Sequence, residues 1–316
     1  MKIKRQCVIT GMTITALMAA SPVMRASAPD APGVPAQSAH MVITVQPAHK
    51  GGSVPNSLEA HDLTVLQGNT PVHIVRAQRL AGDLADMQLF VLLDDSTRSS
   101  SLGLQLPELK AFLKSLPATT QVAIGYMHNG TFALAQAFTA DPRKAASALR
   151  LPAAIPGENG SPYFALSDLV EHWPSKEAAG RRAVLMLTDG VDRYWDTQVM
   201  DDPYVDAAIQ DALKSGVMVY SIYLRSAGLY GRSDWVTNFA QSRLSEVSQE
   251  TGGYAYFEDF TDPVTIQPFL KDFHDRLENQ YAVTFEALGK HGMQPVKLRT
   301  ELPGLQIQCP SRVYVR

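Results

Sequence analysis

The sequence predicts an α/β fold: a doubly wound, mainly parallel sheet with a small β-rich appendage built from both chain ends. Three apolar runs, residues 89–93, 183–187 and 217–224, are typical of strands buried on both faces of a parallel sheet. Segments with the apolar spacing of helices alternate with these runs, and such alternation indicates βαβ crossovers. Near both ends the pattern changes to short strands, which we expect to pack together outside the main sheet.

Composition limits the class of protein. The chain has 316 residues, of which 45% are hydrophobic and 19% charged, as in globular proteins rather than disordered ones. A formal net charge of -3 argues against a nucleic-acid binder. The two cysteines, of which only Cys309 would remain after removal of a signal peptide, exclude an internal disulfide and a zinc ribbon in the mature protein.

The N-terminus has the pattern of an export signal. Three basic residues precede an uncharged apolar run over residues 7–20, which is too short for a membrane span. An A-x-A pattern at 26–28 predicts a signal peptide over 1–28, with cleavage near Ala20 or an uncleaved anchor as alternatives. A linker over 29–40 follows, rich in proline and alanine at its start. We therefore expect an exported protein, periplasmic or secreted, without a membrane span after cleavage.

The predicted elements follow in chain order. An N-terminal β segment, 41–86, contains a strand at 41–46 and a hairpin of 63–66 with 72–75 around a Gly-Asn turn. The main domain, 87–280, has further strands at 122–126, 132–138 and 254–257, and helices at 106–116, 142–149, 163–173, 204–214, 244–251 and 269–278. A C-terminal β segment, 281–316, has strands at 281–286, 296–301, 305–308 and 313–315.

Acidic and hydroxyl side chains follow two of the buried strands. Asp94 and Ser96 come after the first, Asp189 follows the second, and Ser161 precedes a helix that could reach the same edge. In an open α/β sheet, ligands bind outside the carboxyl ends of the strands. Two carboxylates and two hydroxyls suit a hard cation, so these four residues are the predicted ligands of Mg²⁺ or another divalent ion.

In this order and spacing the motifs resemble those of the von Willebrand factor A (VWFA) domain, more narrowly the bacterial VWFA-related group, over residues 58–316. That family's metal-ion-dependent adhesion site combines D-x-S-x-S, a threonine and a T-D-G turn. Asp94 and Ser96 match the first two positions, Ser161 falls at the threonine, and Asp189 belongs to Thr188-Asp189-Gly190. The flanks LEAHDLTVLQGNTPVHIVRAQ, TGGYAYFED and LENQYAVTF are also similar to segments of the bacterial group.

The resemblance implies a binding module for protein interaction or adhesion, in which an acidic side chain of the partner completes the metal's coordination. No nucleophile elbow, P-loop or H-E-x-x-H pair occurs in the sequence, so we expect no enzyme activity. The alternative is a metal-assisted hydrolase that uses Asp94 and Asp189, for which Asp95 is the available general base.

The sequence departs from the family's motif at Arg98, which stands where the second serine belongs. Its guanidinium could lie where a cation would sit and pair with the carboxylates, giving a salt bridge without metal. It could instead point to solvent, with Ser99 or a water in the gap. Both alternatives remain open at the level of sequence.

Aromatic and acidic residues also follow the T-D-G turn. Tyr194 and Trp195, with aspartates 192, 196, 201 and 202 around them, could form a rim that anchors a partner, or could pack on the domain itself. Asp202 is more simply the N-cap of a helix. The same two interpretations apply to Leu229, Tyr230 and Trp235 in a later loop.

Overall fold

The computed structural model describes residues 37–49, 51–155, 160–177, 179–195, 201–225, 232–289 and 291–316. The predicted signal peptide, most of the linker, Asp196 and the pair Leu229-Tyr230 lie outside these ranges. Within them, no helix has the length and apolar character needed to cross a bilayer.

Fourteen strands and six α-helices are described. The strands are β1 (Gln37–Pro47), β2 (Leu63–Gln67), β3 (Thr70–Val72), β4 (Ile74–Arg79), β5 (Met87–Asp94), β6 (Thr120–His128), β7 (Thr131–Thr139), β8 (Arg181–Thr188), β9 (Val217–Tyr223), β10 (Ala255–Tyr256), β11 (Gln280–Ala287), β12 (Gly292–Thr300), β13 (Leu305–Gln308) and β14 (Arg312–Val315). The helices are α1 (Ser99–Ser115), α2 (Pro142–Ser147), α3 (Pro162–Glu171), α4 (Pro203–Ser215), α5 (Asp234–Glu250) and α6 (Gln267–Glu278).

The central sheet has six strands in the order β10-β9-β8-β5-β6-β7. All neighbouring pairs are parallel except β6 and β7, which form an antiparallel hairpin at one edge. The predicted α/β fold with a mainly parallel sheet is therefore confirmed. Because β5 and β8 are adjacent and parallel, Asp94 and Thr188 emerge side by side at the carboxyl edge.

Helices cover both faces of this sheet. Leu89, Val91 and Leu93 of β5 pack with α1, α2 and α6, whereas Phe90 and Leu92 pack with α3, α4 and α5. Alternation along a strand sends successive side chains to opposite faces, and both faces here are apolar cores. This explains why residues 89–93 of β5 form a continuous apolar run.

The strands from the two chain ends pair with each other. One four-stranded sheet has the order β13-β1-β11-β4 and another the order β14-β12-β2-β3, and side chains of both sheets share a third apolar core. The expected strand at 72–75 is divided at His73: Val72 pairs with β2, while Ile74 begins a strand that pairs with β11. A change of partner strand is a tertiary event that local alternation does not reveal.

Two helices begin earlier than the sequence pattern predicts. Helix α1 starts at Ser99 rather than 106, because its first turns bury Ser101 and Gln105, which hydrogen-bond the loop around Asp262. Helix α5 starts at Asp234 rather than 244, and its first half also buries polar side chains. Buried polar residues interrupt the apolar spacing on which the prediction depended.

Candidate functional site

Asp94, at the end of β5, is the centre of a buried hydrogen-bond network. Its side chain is almost inaccessible, with the residue 1% exposed. One carboxylate oxygen, Oδ1, accepts hydrogen bonds from the backbone N–H of Ser96 (2.9 Å) and from its hydroxyl (2.8 Å). The other, Oδ2, accepts from Thr188 Oγ1 at 2.9 Å. Both motif segments of the sequence therefore meet at this carboxylate.

Asp189, the next residue after β8, pairs with an arginine from the following turn. Gly190 has φ 66°, a left-handed conformation, and a Cβ there would lie 2.7 Å from Leu244, so glycine suits this turn. The turn brings Arg193 back onto the carboxylate: Nη2 donates to Asp189 Oδ2 at 2.6 Å, and Val191 N–H donates to Oδ1 at 3.0 Å. The side chains of Arg193 and Asp189 are 9% and 4% exposed.

Ser161 stands at the start of α3 and is tied to a different aspartate. Its hydroxyl accepts the N–H of Phe164 (3.4 Å) as a helix cap and donates to Asp192 Oδ2 at 2.8 Å. Asp192 Oδ1 in turn accepts from Tyr194 N–H at 2.8 Å. One of the two sequence interpretations put Asp192 in a rim that anchors a partner, whereas the structure buries its side chain.

Burial changes the acidity of two of these carboxyls. Desolvation, reinforced by the negative charge of Asp189, raises the pKa of Asp94 despite its bonds with Ser96 and the nearby charge of Arg193. Desolvation also raises the pKa of Asp192, opposed by the hydrogen bonds from Ser161 and Tyr194. Burying these carboxylates close together therefore costs free energy, and a positive charge at the site reduces that cost.

Arg98 does not take the position that one of the sequence alternatives gave it. It directly precedes α1, is half-buried, and its carbonyl accepts from Leu102 N–H at 3.1 Å. In the described part of the chain no ion pair joins Arg98 to a carboxylate, and the guanidinium on the site is that of Arg193. The signal in the sequence was the D-G-x-D-R segment, since a left-handed glycine reverses the chain and returns residue i+4 to the aspartate.

Asp95, the candidate general base, is engaged in a separate ion pair. Arg150 donates to both of its oxygens, at 2.6 and 3.1 Å, and lies 3.8 Å from the ring centre of Tyr126. The N–H of Ala153 donates to Asp95 at 2.9 Å. Desolvation tends to raise the pKa of Asp95, but these hydrogen bonds and the charge of Arg150 outweigh it and lower the pKa.

Aromatic rings surround the turn that carries Arg193. Phe164 contacts Tyr194 and Tyr204, with centroid separations of 5.6 and 4.3 Å, and Trp195 lies 5.8 Å from Tyr204. The rings thus pack on one another, as one alternative for this loop proposed. Tyr194 is nevertheless 54% exposed, so it also presents an aromatic surface directly above the buried network.

The four predicted ligands suit a divalent cation in chemistry but not in this arrangement. All are oxygen donors, which Mg²⁺ prefers. However, Asp94 Oδ1 already accepts two hydrogen bonds from Ser96, and the Arg193 guanidinium lies 2.6 Å from Asp189 Oδ2, where it places a positive charge. Across the described ranges, no three His, Cys, Asp or Glu side chains are grouped as a metal site. The residues do not fit an ion while Arg193 is in place.

No family model and no curated protein matches the chain. Among solved structures, it is similar to an aerotolerance-related membrane protein from Bacteroides fragilis (14% identity, 60% of this chain and 98% of that chain, TM-score 0.43). It is also similar to the vWF domain of the type V pili tip protein Mfa5 from Porphyromonas gingivalis (10% identity, 61% and 94% covered, TM-score 0.42). A third is proximal thread matrix protein 1 from the mussel byssus, with a zinc-occupied MIDAS motif (15% identity, 62% and 46% covered, TM-score 0.41).

The chain thus resembles VWFA domains in its motifs, and structures of such domains are among those to which it is similar.

Proposed function

We propose that this chain is an exported binding module of the VWFA type, which recognises a protein partner through the carboxyl edge of its central sheet and is not an enzyme. The observation that supports it best is Tyr194, an exposed aromatic side chain held on a rigid base. Its backbone N–H is bonded to buried Asp192, and its ring packs on Phe164. Aromatic side chains that are held in place and still exposed are typical anchors at protein interfaces.

The proposal of export rests on the sequence. Basic residues followed by the apolar run 7–20 and the A-x-A pattern at 26–28 have the composition of a signal peptide. The mature chain would keep one cysteine, Cys309, and so could form no internal disulfide. In this proposal the adhesion-type motif is degenerate, because Arg98 replaces its second serine. The exported protein contains both the central α/β domain and the β-rich appendage.

The arrangement of the acidic residues disfavours the alternative of a metal-assisted hydrolase. Asp94 and Asp189 are buried and hydrogen-bonded, so a substrate could not reach them without opening the turn. Asp95 is a poor general base because its pKa is lowered and both oxygens are bound by Arg150.

Photo-crosslinking in the producing cell tests the proposal. A benzophenone amino acid replaces Tyr194 in one variant and Tyr314, a 44% exposed tyrosine of β14, in a matched control. We expect a discrete protein adduct from position 194 that is absent from position 314. Equal adducts at both positions, or none at either, would contradict a binding edge at Tyr194.

A second assay distinguishes binding from catalysis. Purified protein is incubated with phosphoester and peptide substrates in Mg²⁺ and Mn²⁺, beside the Asp189→Ala variant. We expect no turnover by either protein. Turnover that Asp189→Ala abolishes would establish the hydrolase instead.

A further inference from the structure

The side chain of Arg193 lies on Asp189, one of the predicted metal ligands. It is 9% exposed, and its Nη2 atom is 2.6 Å from Asp189 Oδ2. Its positive charge also acts on Asp94, where it opposes the rise in pKa that burial causes. An arginine remains charged at any ordinary pH, and its planar fork suits a carboxylate. It therefore offers permanently the positive charge that a divalent ion would otherwise supply.

The backbone around Arg193 is built to hold this position. The N–H of Arg193 donates to Gly160 O at 2.7 Å, which joins the turn to the start of α3. Bonds from Val191 N–H to Asp189 and from Tyr194 N–H to Asp192 fix the residues on either side. Arg193 also donates through Nη1 to Val191 O at 3.2 Å. Arg193 thus lies in a hydrogen-bonded turn, and its side chain is buried rather than free at the surface.

Entry of a metal ion at Asp189 would require the ion pair with Arg193 to open. Mg²⁺ demands near-octahedral oxygens at about 2.0–2.1 Å. Asp189 Oδ2 would have to release Arg193 Nη2 before it could bind the ion. A guanidinium left beside the ion would repel it, because two like charges a few ångströms apart interact strongly in a buried site.

We propose that Arg193 is the resident cation of this site, so that the protein assembles its strand-end network without a divalent metal. Mg²⁺ competes with Arg193 for Asp189 and binds appreciably only when that side chain is removed. If the proposed function holds, partner binding is insensitive to chelators, because the partner contacts the surface above the network rather than a coordinated ion.

Calorimetric titration of Mg²⁺ and Mn²⁺ tests this inference on the purified mature protein. The variants are Arg193→Ser, with Arg98→Ser as the matched control and Asp189→Ala as the blank. We expect no saturable binding at millimolar metal by the wild type or by Arg98→Ser. Arg193→Ser should bind at least about tenfold more tightly than the wild type, because a repelling charge is gone and a hydroxyl is gained.

The inference is overturned if the wild type binds either metal and Asp189→Ala abolishes that binding, or if Arg193→Ser gains no affinity. Arg193→Ser could fail to fold without metal, and we then expect it to refold in Mg²⁺ but not in chelator. If both Arg193→Ser and Arg193→Gln fail to fold in either condition, the inference is contradicted. A melting temperature of the wild type that falls in chelator also contradicts it. No partner is present in these measurements, so they can fail while the crosslinking result stands.

Discussion

Removal of one partner from the buried ion pair between Arg243 of α5 and Asp202 at the start of α4 should destabilise the fold strongly. Arg243 Nη1 lies 3.2 Å from Asp202 Oδ2, and the two side chains are 4% and 1% exposed. The other oxygen of Asp202 accepts the N–H of Tyr204 at 3.0 Å and caps α4. Arg243→Met keeps most of the side-chain volume and removes the charge, leaving an uncompensated carboxylate in the interior.

Breaking one side of a buried pair costs about 3–5 kcal/mol, because the remaining charge loses its partner but stays desolvated. Domains of ordinary stability unfold with about 5–15 kcal/mol, so the loss is a large share of the total. Asp202→Asn keeps an oxygen for the helix cap and removes the other charge. The double variant should therefore lose less stability than the sum of the two single variants, by about 1–3 kcal/mol.

Urea unfolding followed by circular dichroism measures all four proteins. We expect a lower midpoint for both single variants at an unchanged slope, and a clear positive coupling between the two sites. A loss below about 1 kcal/mol for Arg243→Met would refute the reasoning, since it would mean that water reaches Asp202 or that the pair is not formed. Strict additivity of the two substitutions would refute it as well.

Three further predictions concern other parts of the fold. Gly253→Ala would drive a methyl group into the backbone carbonyl of Val219, so we expect a loss of about 3 kcal/mol or more in urea unfolding. Tyr163→Phe removes the hydroxyl that donates to Gly190 O at 2.8 Å, and should cost about 1–3 kcal/mol by the same assay. The pKa of Asp95 is lowered in the folded protein. Ionised Asp95 therefore adds to the free energy of unfolding above its unfolded pKa of about 3.9, and this stabilisation is lost as pH falls through the folded pKa. The stability difference between wild type and Asp95→Asn should therefore be constant near pH 7 and shrink below about pH 4, whereas a constant difference down to pH 2 would contradict that account.

The strands of the central sheet could be predicted from sequence because their surroundings are simple. Residues 89–93 of β5 are buried on both faces and are all apolar, so they appear in the sequence as one run that ends at Asp94. Residues 183–187 of β8 form a second such run, which the T-D-G turn follows. Adjacency of these two strands then brings Asp94 and Thr188 into contact, as the carboxyl-edge rule implies.

Other features depend on contacts that a local pattern does not contain. The change of partner strand at His73 and the polar first halves of α1 and α5 are set by distant residues. Ser161 lies at the predicted edge, and its hydroxyl donates a hydrogen bond to Asp192. The position of Asp192 depends on the path of the turn after Gly190, which the sequence pattern does not reveal.

The arginine at the acidic site also could not be identified from the sequence alone. From the motif alone, Arg98 was the arginine to consider, because it stands in place of a serine ligand. The structure places Arg193 on Asp189, four residues away in sequence and reached through a left-handed glycine. Sequence spacing indicated that an arginine could replace a metal, and the geometry of one turn decides which arginine it is.

A crystal structure of the protein grown in millimolar Mn²⁺ tests the central claim most directly, because manganese scatters anomalously and marks its own position. The account predicts no anomalous peak between Asp94 and Asp189, with Arg193 Nη2 in hydrogen-bond contact with Asp189 Oδ2. A manganese ion bound to these aspartates, with the Arg193 side chain turned away, would contradict it.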